Sequence, residues 1–370
     1  KIAENLAKSM GSAIPNLSTV QIKNIVFALP PLAEQHRIVA KVDELMALCD
    51  KLEQQQTDSN ETHQTLVQTL LATLTTVADP AEFTLSWQRI AAHFDTLFTT
   101  EESIDQLKQT ILQLAVMGKL APQDPNDEPA STLLEKIATE KARLIKEGKI
   151  KKQKHLPGIG VDDTPFGLPT GWEWTRLGDI ATFENGDRSK RYPNNSDHEL
   201  SGVPFFGAKD MVDGILRFDN GLRFISQGKF NELSNGKLID MDFVMLLRGT
   251  VGKMAIFRAT PEFSTGFINA QMLIVRMLKT DFCDFFNLYR ESNFFNKQVG
   301  DKTTGTAIRQ MPASVLLEFL VPVPSLNEQG RIVTKVDELL ALCDTLKERL
   351  HDAQTTQVQL ADVIVEQAVA

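Results

Sequence analysis

Cysteine is nearly absent. Cys49, Cys283 and Cys343 are the only three in 370 residues, and no two form a CxxC pair. So sparse and odd a set excludes a disulfide framework and a cysteine-built zinc site, and it points to a reducing compartment, the cytoplasm. No apolar run reaches the roughly 18 residues that a membrane-spanning helix needs. The opening Lys1-Ile2-Ala3-Glu4 lacks both an initiator Met and the basic–apolar–small order of a signal peptide, so the N-terminus reads as a cut end.

Catalytic signatures are missing as well. There is no HExxH, and the six histidines are scattered. Gly249-Thr-Val-Gly252-Lys253 comes nearest to a phosphate loop, but its glycine spacing is wrong and no Ser or Thr follows the Lys. No glycine-rich loop of the dinucleotide type follows a strand. The carboxylate pairs Asp162-Asp163 and Asp240/Asp242 read as turn and solvent residues. The sequence offers no catalytic residue, no metal ligand set and no cofactor site of its own.

Charged residues make up 24 % and apolar residues 42 %, ordinary values for a globular chain, and the net charge is −9. That balance opposes a polyanionic partner only if it is evenly spread. It is not: residues 156–324 hold 18 Lys and Arg against 20 Asp and Glu, which leaves room for a basic face there.

What is present is a repeat. Residues 30–52 read PPLAEQHRIVAKVDELMALCDKL and residues 324–346 read PSLNEQGRIVTKVDELLALCDTL, with 17 of 23 positions identical. Gly11, Ala13 and Ile14 also match Gly305, Ala307 and Ile308, whereas His36 faces Gly330 and is no shared ligand. Ile38, Val42, Leu45, Cys49 and Leu52 recur at spacings of four and three, as do Ile332, Val336, Leu339, Cys343 and Leu346: the seam of a coiled coil. The first seam weakens at Gln56, Ser59 and His63 and resumes at Leu66, Leu70 and Val77. The second continues through Leu350, Ala353, Leu360 and Ile364. Helices of about 40–45 residues, roughly 60–65 Å long, are expected to bury these seams against each other as an antiparallel pair. A helical hairpin in an unrelated scaffold is the plainer alternative, but so long an offset implies that a whole domain was duplicated with the helix.

Between the copies, amphipathic helices are expected over 81–97 and 101–117, and another to about 147 capped by Ser131. The basic run Lys146–Lys154 is either a solvated helix end or a DNA-backbone contact. From 172 to about 320 short β-prone runs appear: Gly202–Gly207, Ile215–Phe218, Leu222–Ile225, Phe243–Leu247, Met254–Phe257 and Met272–Val275, then a helix over 281–299. The fold class is α+β, a twisted-sheet domain joined to long paired helices.

Three stretches in fixed order carry a family resemblance. Gly171-Trp-Glu-Trp-Thr-Arg-Leu-Gly-Asp-Ile180, Gly305-Thr-Ala-Ile308 and LNEQGRIVTKVDELLALCD from 326 resemble the specificity subunit of type I restriction–modification systems. SIDQLKQTILQLAVMGKL (103–120) and EKARLIKEGKI (140–150) are similar to the stretch joining its two halves. The resemblance implies two target-recognition domains, each followed by a conserved helical region, with the helices acting as a ruler between two DNA half-sites. Residues 1–30 would then be the remnant of a first recognition domain, 31–155 the first helical region, 156–324 the second recognition domain and 325–370 the second helical region. It further implies a subunit without catalysis that binds double-stranded DNA. Its partners would be methyltransferase subunits carrying S-adenosylmethionine, a motor–nuclease subunit and, to restore two reading heads, a second copy of itself.

Readers of base edges are sought among Arg, Lys, Asn, Gln, Ser and Thr on loops of 172–320. Asn185, Arg188, Ser189, Lys190, Arg191 and Tyr192 form the densest polar loop. Lys209 comes next, then Arg248 and Lys253 around two glycines. Lys302, Thr303, Thr304 and Arg309 flank a segment that either offers N–H groups to a phosphate or is fold architecture, since the remnant shares it. Trp172, Trp174, Cys49 and Cys343 are expected in the core. Two alternatives remain: the specificity part of a longer fused enzyme, and a coiled-coil scaffold without a DNA role.

Overall fold

The computed structural model describes residues 29–77, 79–153, 155–219, 221–305 and 309–369, with Thr19 and Lys23. Most of 1–30, including the repeated Gly11, Ala13 and Ile14, lies outside the described residues, as do Ala307 and Ile308. The chain forms two compact units, 1–65 and 66–370.

The first unit is built on helix α1, Leu32–Thr76, which is 45 residues long. Its first turn is closed by the Pro31 carbonyl, which accepts the Glu34 and Gln35 N–H groups, and by Gln35 Nε2, which donates to the Pro30 carbonyl at 2.8 Å. The heptad seam lies open: Ile38, Val42, Leu45 and Leu52 are 49–56 % exposed, and Cys49 is exposed too. The expectation that Cys49 is a core residue is therefore corrected. Among its described residues the first unit supplies no second long element to cover it.

In the second unit the end of α1 buries Val67, Leu71 and Leu74. Helix α2, Pro80–Ala92, starts at Asp79, whose carboxylate accepts the Ala81 N–H. Helix α3, Glu101–Val116, starts on a reciprocal Thr100/Ser103 capping box and turns Ile104, Leu107, Ile111 and Leu114 into the core. Helix α4 runs Ala130–Lys146. Ser131 lies inside α4, and Pro129 holds the cap position with no side-chain bond, which corrects the expected serine cap. The Ala130 N–H donates instead to the Gly171 carbonyl.

The strands lie between 173 and 323. A two-stranded ladder pairs β1, Glu173–Arg176, with the last strand, Leu320–Val323, so the domain closes on itself beside its own start. A six-stranded sheet carries β2 (Ala181–Asn185), β12 (Met272–Met277), β9 (Phe243–Leu246), β10 (Met254–Ile256), β6 (Ile215–Leu216) and β5 (Met211–Val212), in that order. A five-stranded sheet orders β3 (His198–Glu199), β7 (Arg223–Ile225), β4 (Val203–Phe206), β11 (Gly266–Ile268) and β8 (Lys237–Leu238).

Alternation along the strands sorts the core into layers. Val244 and Leu246 of β9 and Met272 and Ile274 of β12 join Phe206 and Ile268 of the other sheet in one cluster. Phe243, Met245, Leu273 and Val275 turn the other way, toward the helices. On the outer face of the five-stranded sheet, Phe205 and Phe267 pack with Ile225, Phe230 and Tyr192. Arg276 crosses between the sheets, gripping the Asp242 carboxylate with two bonds of 2.7 Å and donating to the Lys237 carbonyl at 3.1 Å.

The expected 281–299 helix is two helices, α5 (Cys283–Glu291) and α6 (Asn293–Lys302). They break at Ser292, whose extended backbone and hydroxyl cap the Phe295 N–H. Helix α7, Leu326–Val369, is 44 residues long. Its seam is covered by α3 and α5, with Ile332, Val336 and Cys343 buried and Leu339 and Leu346 half-buried. Lys347–Asp105, at 2.6 Å, and Lys108–Asp344 flank that contact. A heptad seam specifies that a helix is covered but not by what, and here the connecting helix α3 does the covering. Farther along, Val358, Leu360 and Ile364 are exposed. No helix among the described residues is long and apolar enough to cross a membrane.

Candidate nucleic-acid interface

The end of β2, the end of β9 and the start of β12 lie together at one end of the six-stranded sheet. The loops leaving them enclose a cleft of about 380 Å³, lined by Asn185, Arg188, Arg248, Gln271, Thr304 and Gln310 with Leu247, Met311 and Pro312. A second hollow of about 400 Å³ shares Arg248 and Gln271 and extends past Asn269 to Ala208, the neighbour of Lys209.

The first loop is held from beneath. Gly186 donates to the Met272 carbonyl, and a Cβ there would come within 2.3 Å of the Asn269 carbonyl oxygen, so only glycine fits. Asp187 is buried, and its carboxylate accepts the Ser189, Ser234 and Asn235 N–H groups at 2.7, 3.0 and 3.4 Å. Burial pushes the Asp187 carboxyl up, but the bonds from Ser189, Ser234 and Asn235 outweigh it and hold the group below its ordinary value. Arg188 Nε donates to the Ala270 carbonyl at 3.1 Å. Arg191 Nη1 donates to the Glu232 carbonyl, and Tyr192 sits half-buried, edge-on to Phe205, its hydroxyl accepting the Ala270 N–H.

The other side is a small ladder. Gln310 bridges Arg248 on one side and Thr304 on the other, both antiparallel. Residues directly opposite in such pairs present their side chains on the same face, so Arg248, Gln310 and Thr304 stand in a row. Gly249 donates to the Arg309 carbonyl and Met311 to the Leu247 carbonyl, fixing the register.

Of the residues singled out in the sequence, the cleft brings together Asn185, Arg188, Arg248 and Thr304. Ser189 turns its hydroxyl to the Arg191 N–H, Lys190 is exposed on the same loop, and Lys209 Nζ donates to the Gly221 carbonyl. Lys253 is exposed at the far end of the Arg248 turn. Lys302 ends α6, Thr303 caps it by donating to the Val299 carbonyl, and the Arg309 side chain is exposed. The Thr303 and Thr304 N–H groups donate to the carbonyls of Gly300 and Gln310, while Thr306, Ala307 and Ile308, the middle of the segment, lie outside the described residues. Sequence reasoning missed Gln271 and Gln310. Neither stands in a basic run, and only the sheet crossing brings them to the arginines.

Asp187→Ala would leave three N–H groups without their acceptor. We expect a stability loss of about 1–3 kcal/mol and faster amide exchange confined to 187–192 and 234–235. Because the acid is depressed in the folded state, its contribution is present above the ordinary carboxylate range and is lost as pH falls from that range through the lower folded value. Acidifying the unaltered protein should reproduce the same local exchange pattern, whereas uniform acceleration would contradict this assignment.

Two sheets pack back to back, one of them against α3, α5 and α7, and arginine and amide side chains line a cleft at the strand ends. The sequence profile of the type I restriction modification DNA specificity domain matches residues 1–61 and 169–353, both repeat copies included, and the chain belongs to that family. It is 41 % identical over 354 residues to the type I restriction enzyme EcoAI specificity subunit of Escherichia coli, covering 94 % of this chain and 58 % of that protein. To the EcoEI specificity subunit of Escherichia coli it is 38 % identical over 364 residues, covering 94 % and 59 %. The chain therefore spans rather more than half the length of these relatives. Among solved structures, one described as the structural basis underlying complex assembly and conformational transition of the type I R-M system aligns with a TM-score of 0.51. Its identity is 18 %, over 97 % of this chain and 65 % of that one, which shows a shared fold.

Proposed function

We propose that this chain is a non-catalytic DNA-recognition subunit of a type I restriction–modification complex, acting in the cytoplasm. The domain from about 172 to 323 reads double-stranded DNA, and the long helices carry the methyltransferase subunits, which hold S-adenosylmethionine, and the motor–nuclease subunit. The observation that carries this reading is the convergence of Arg188, Arg248, Asn185 and Gln271 in one exposed cleft of a domain matched by the specificity family. Arginine and amide side chains are the commonest readers of base edges. Enzymatic chemistry belongs to the partners in this scheme.

The open seam of α1, from Ile38 to Leu52, supports a helical partner, and a second copy of the chain would restore two reading heads. Selection from random duplex DNA, using the chain co-expressed with its methyltransferase subunit, tests all of this. A short motif repeated in inverted orientation at fixed spacing is the expected result. A single half-site would keep DNA recognition and remove the dimer, and no enrichment would leave only the scaffold reading.

A further inference from the structure

We infer that the cleft reads purines on the DNA strand facing it: guanine through Arg188 or Arg248, and adenine through the amides of Gln271 and Gln310. This rests on the DNA-binding reading above and specifies what the same site selects.

The side chains are fixed for such a task. Arg188 spends its Nε on the Ala270 carbonyl, which orients the guanidinium plane and leaves the paired Nη groups to donate outward. Two parallel donors match O6 and N7 of guanine. Arg248 and Gln310 are cross-strand neighbours, so an arginine fork and an amide stand side by side on one face. Gln271 is exposed at the crossing between the two sheets, where its N–H donates to Asn269 Oδ1 at 2.8 Å. A carboxamide offers one donor and one acceptor in a plane, the complement of N7 and N6 of adenine.

The absence of carboxylates narrows the choice further. None of the residues lining the two hollows is Asp or Glu. The acids nearest in sequence are already engaged: Asp187 by three N–H groups, and Glu184 Oε1 by the Gly236 N–H at 2.6 Å. A carboxylate is the side chain that accepts from cytosine N4, and it also repels phosphates. A cleft of cations and amides without one favours guanine and adenine over cytosine on the facing strand.

The test is selection from random duplex DNA with the chain and its methyltransferase partner, run in parallel for the unaltered protein, Arg188→Ala, Arg248→Ala, Gln271→Ala and Gln310→Ala. Thermal melting serves as the check that these surface variants fold. The expected result is a motif with guanine and adenine on one strand. Preference should be lost at a guanine position in Arg188→Ala or Arg248→Ala and at an adenine position in a glutamine variant. Affinity for the selected site should fall on the order of 10- to 100-fold, with non-specific binding little changed. If every variant enriches the unaltered motif at full stringency while affinity falls uniformly and the salt dependence shallows, the arginines hold phosphates. The purine assignment is then overturned and DNA recognition stands. If the unaltered protein enriches nothing, the DNA-recognition reading fails and this inference with it.

Discussion

Replacing Arg276 with Met is expected to destabilise the sheet domain by about 3–5 kcal/mol, the usual consequence of leaving one partner of a buried ion pair alone. Asp242 is 1 % exposed, and Arg276 is the cation that meets it, through two bonds of 2.7 Å. Arg276 also spans to the Lys237 carbonyl in the other sheet, so the variant loses a polar link between the two layers. Its pH dependence identifies the cause. Burial pushes the Asp242 carboxyl up and Arg276 pulls it back, so in the variant the push is opposed only by the Ile239 N–H bond. An acid raised in the folded state costs stability when ionised, and that cost disappears as pH falls toward its unfolded value. Melting of Arg276→Met should therefore lie furthest below the unaltered protein at neutral pH and approach it in mild acid. A deficit that is constant with pH would show that lost packing, not the stranded carboxylate, is responsible.

Val336→Asp should cost about as much, at the upper end of what single substitutions do. Val336 has no exposure, and it sits in the cluster that joins α7 to α3 and α5. An aspartate there loses the apolar contacts and places a charge with no partner among them. The matching change in the first copy is Val42→Asp, at a position 50 % exposed. We expect it to leave the melting of the chain alone nearly unchanged while weakening assembly with the methyltransferase subunit or a second copy. The pair of variants thus separates what the two repeats do, although their sequences are nearly the same. Equal loss of melting temperature in both would mean that the two seams are buried alike.

That contrast also marks how far the sequence could be read. The heptad spacing gave both helices their length to within a residue or two, because periodicity is a local property of the chain. What covers a seam is not local. Ile332, Val336 and Cys343 are buried by α3, whose own apolar face at Ile104, Leu107 and Ile111 was legible, but nothing in either pattern names the other as its partner. Six of the strands lie nearly where the β-prone runs put them, since Gly, Asn and Asp bound those runs, but β1, β2, β11 and the last strand are not among them. The split at Ser292 is not marked in the sequence, because Arg290-Glu291-Ser292-Asn293 reads equally well as the polar face of one continuous helix.

The reading site divides in the same way. Arg188 and Arg248 stood out as cations beside glycines, and both line the cleft. Gln271 and Gln310 had no such signal, because an uncharged amide acquires its role only from what the fold sets next to it. Tyr192 and Arg191 belong to the same polar run, yet one packs against Phe205 and the other holds the Glu232 carbonyl. A basic loop must be supported as well as exposed, and composition does not distinguish the two tasks.

The open stripe on α1 has a consequence for how much of this protein a cell can keep. Val39, Met46 and Leu48 are also exposed there, beside Ile38, Val42, Leu45 and Leu52, so a long apolar surface stays wet until another helix lies on it. Such surfaces are what holding chaperones and quality-control proteases engage. Copies made in excess of a covering helix are then expected to be removed first, so that the standing level of the chain would follow the supply of that helix rather than its own rate of synthesis.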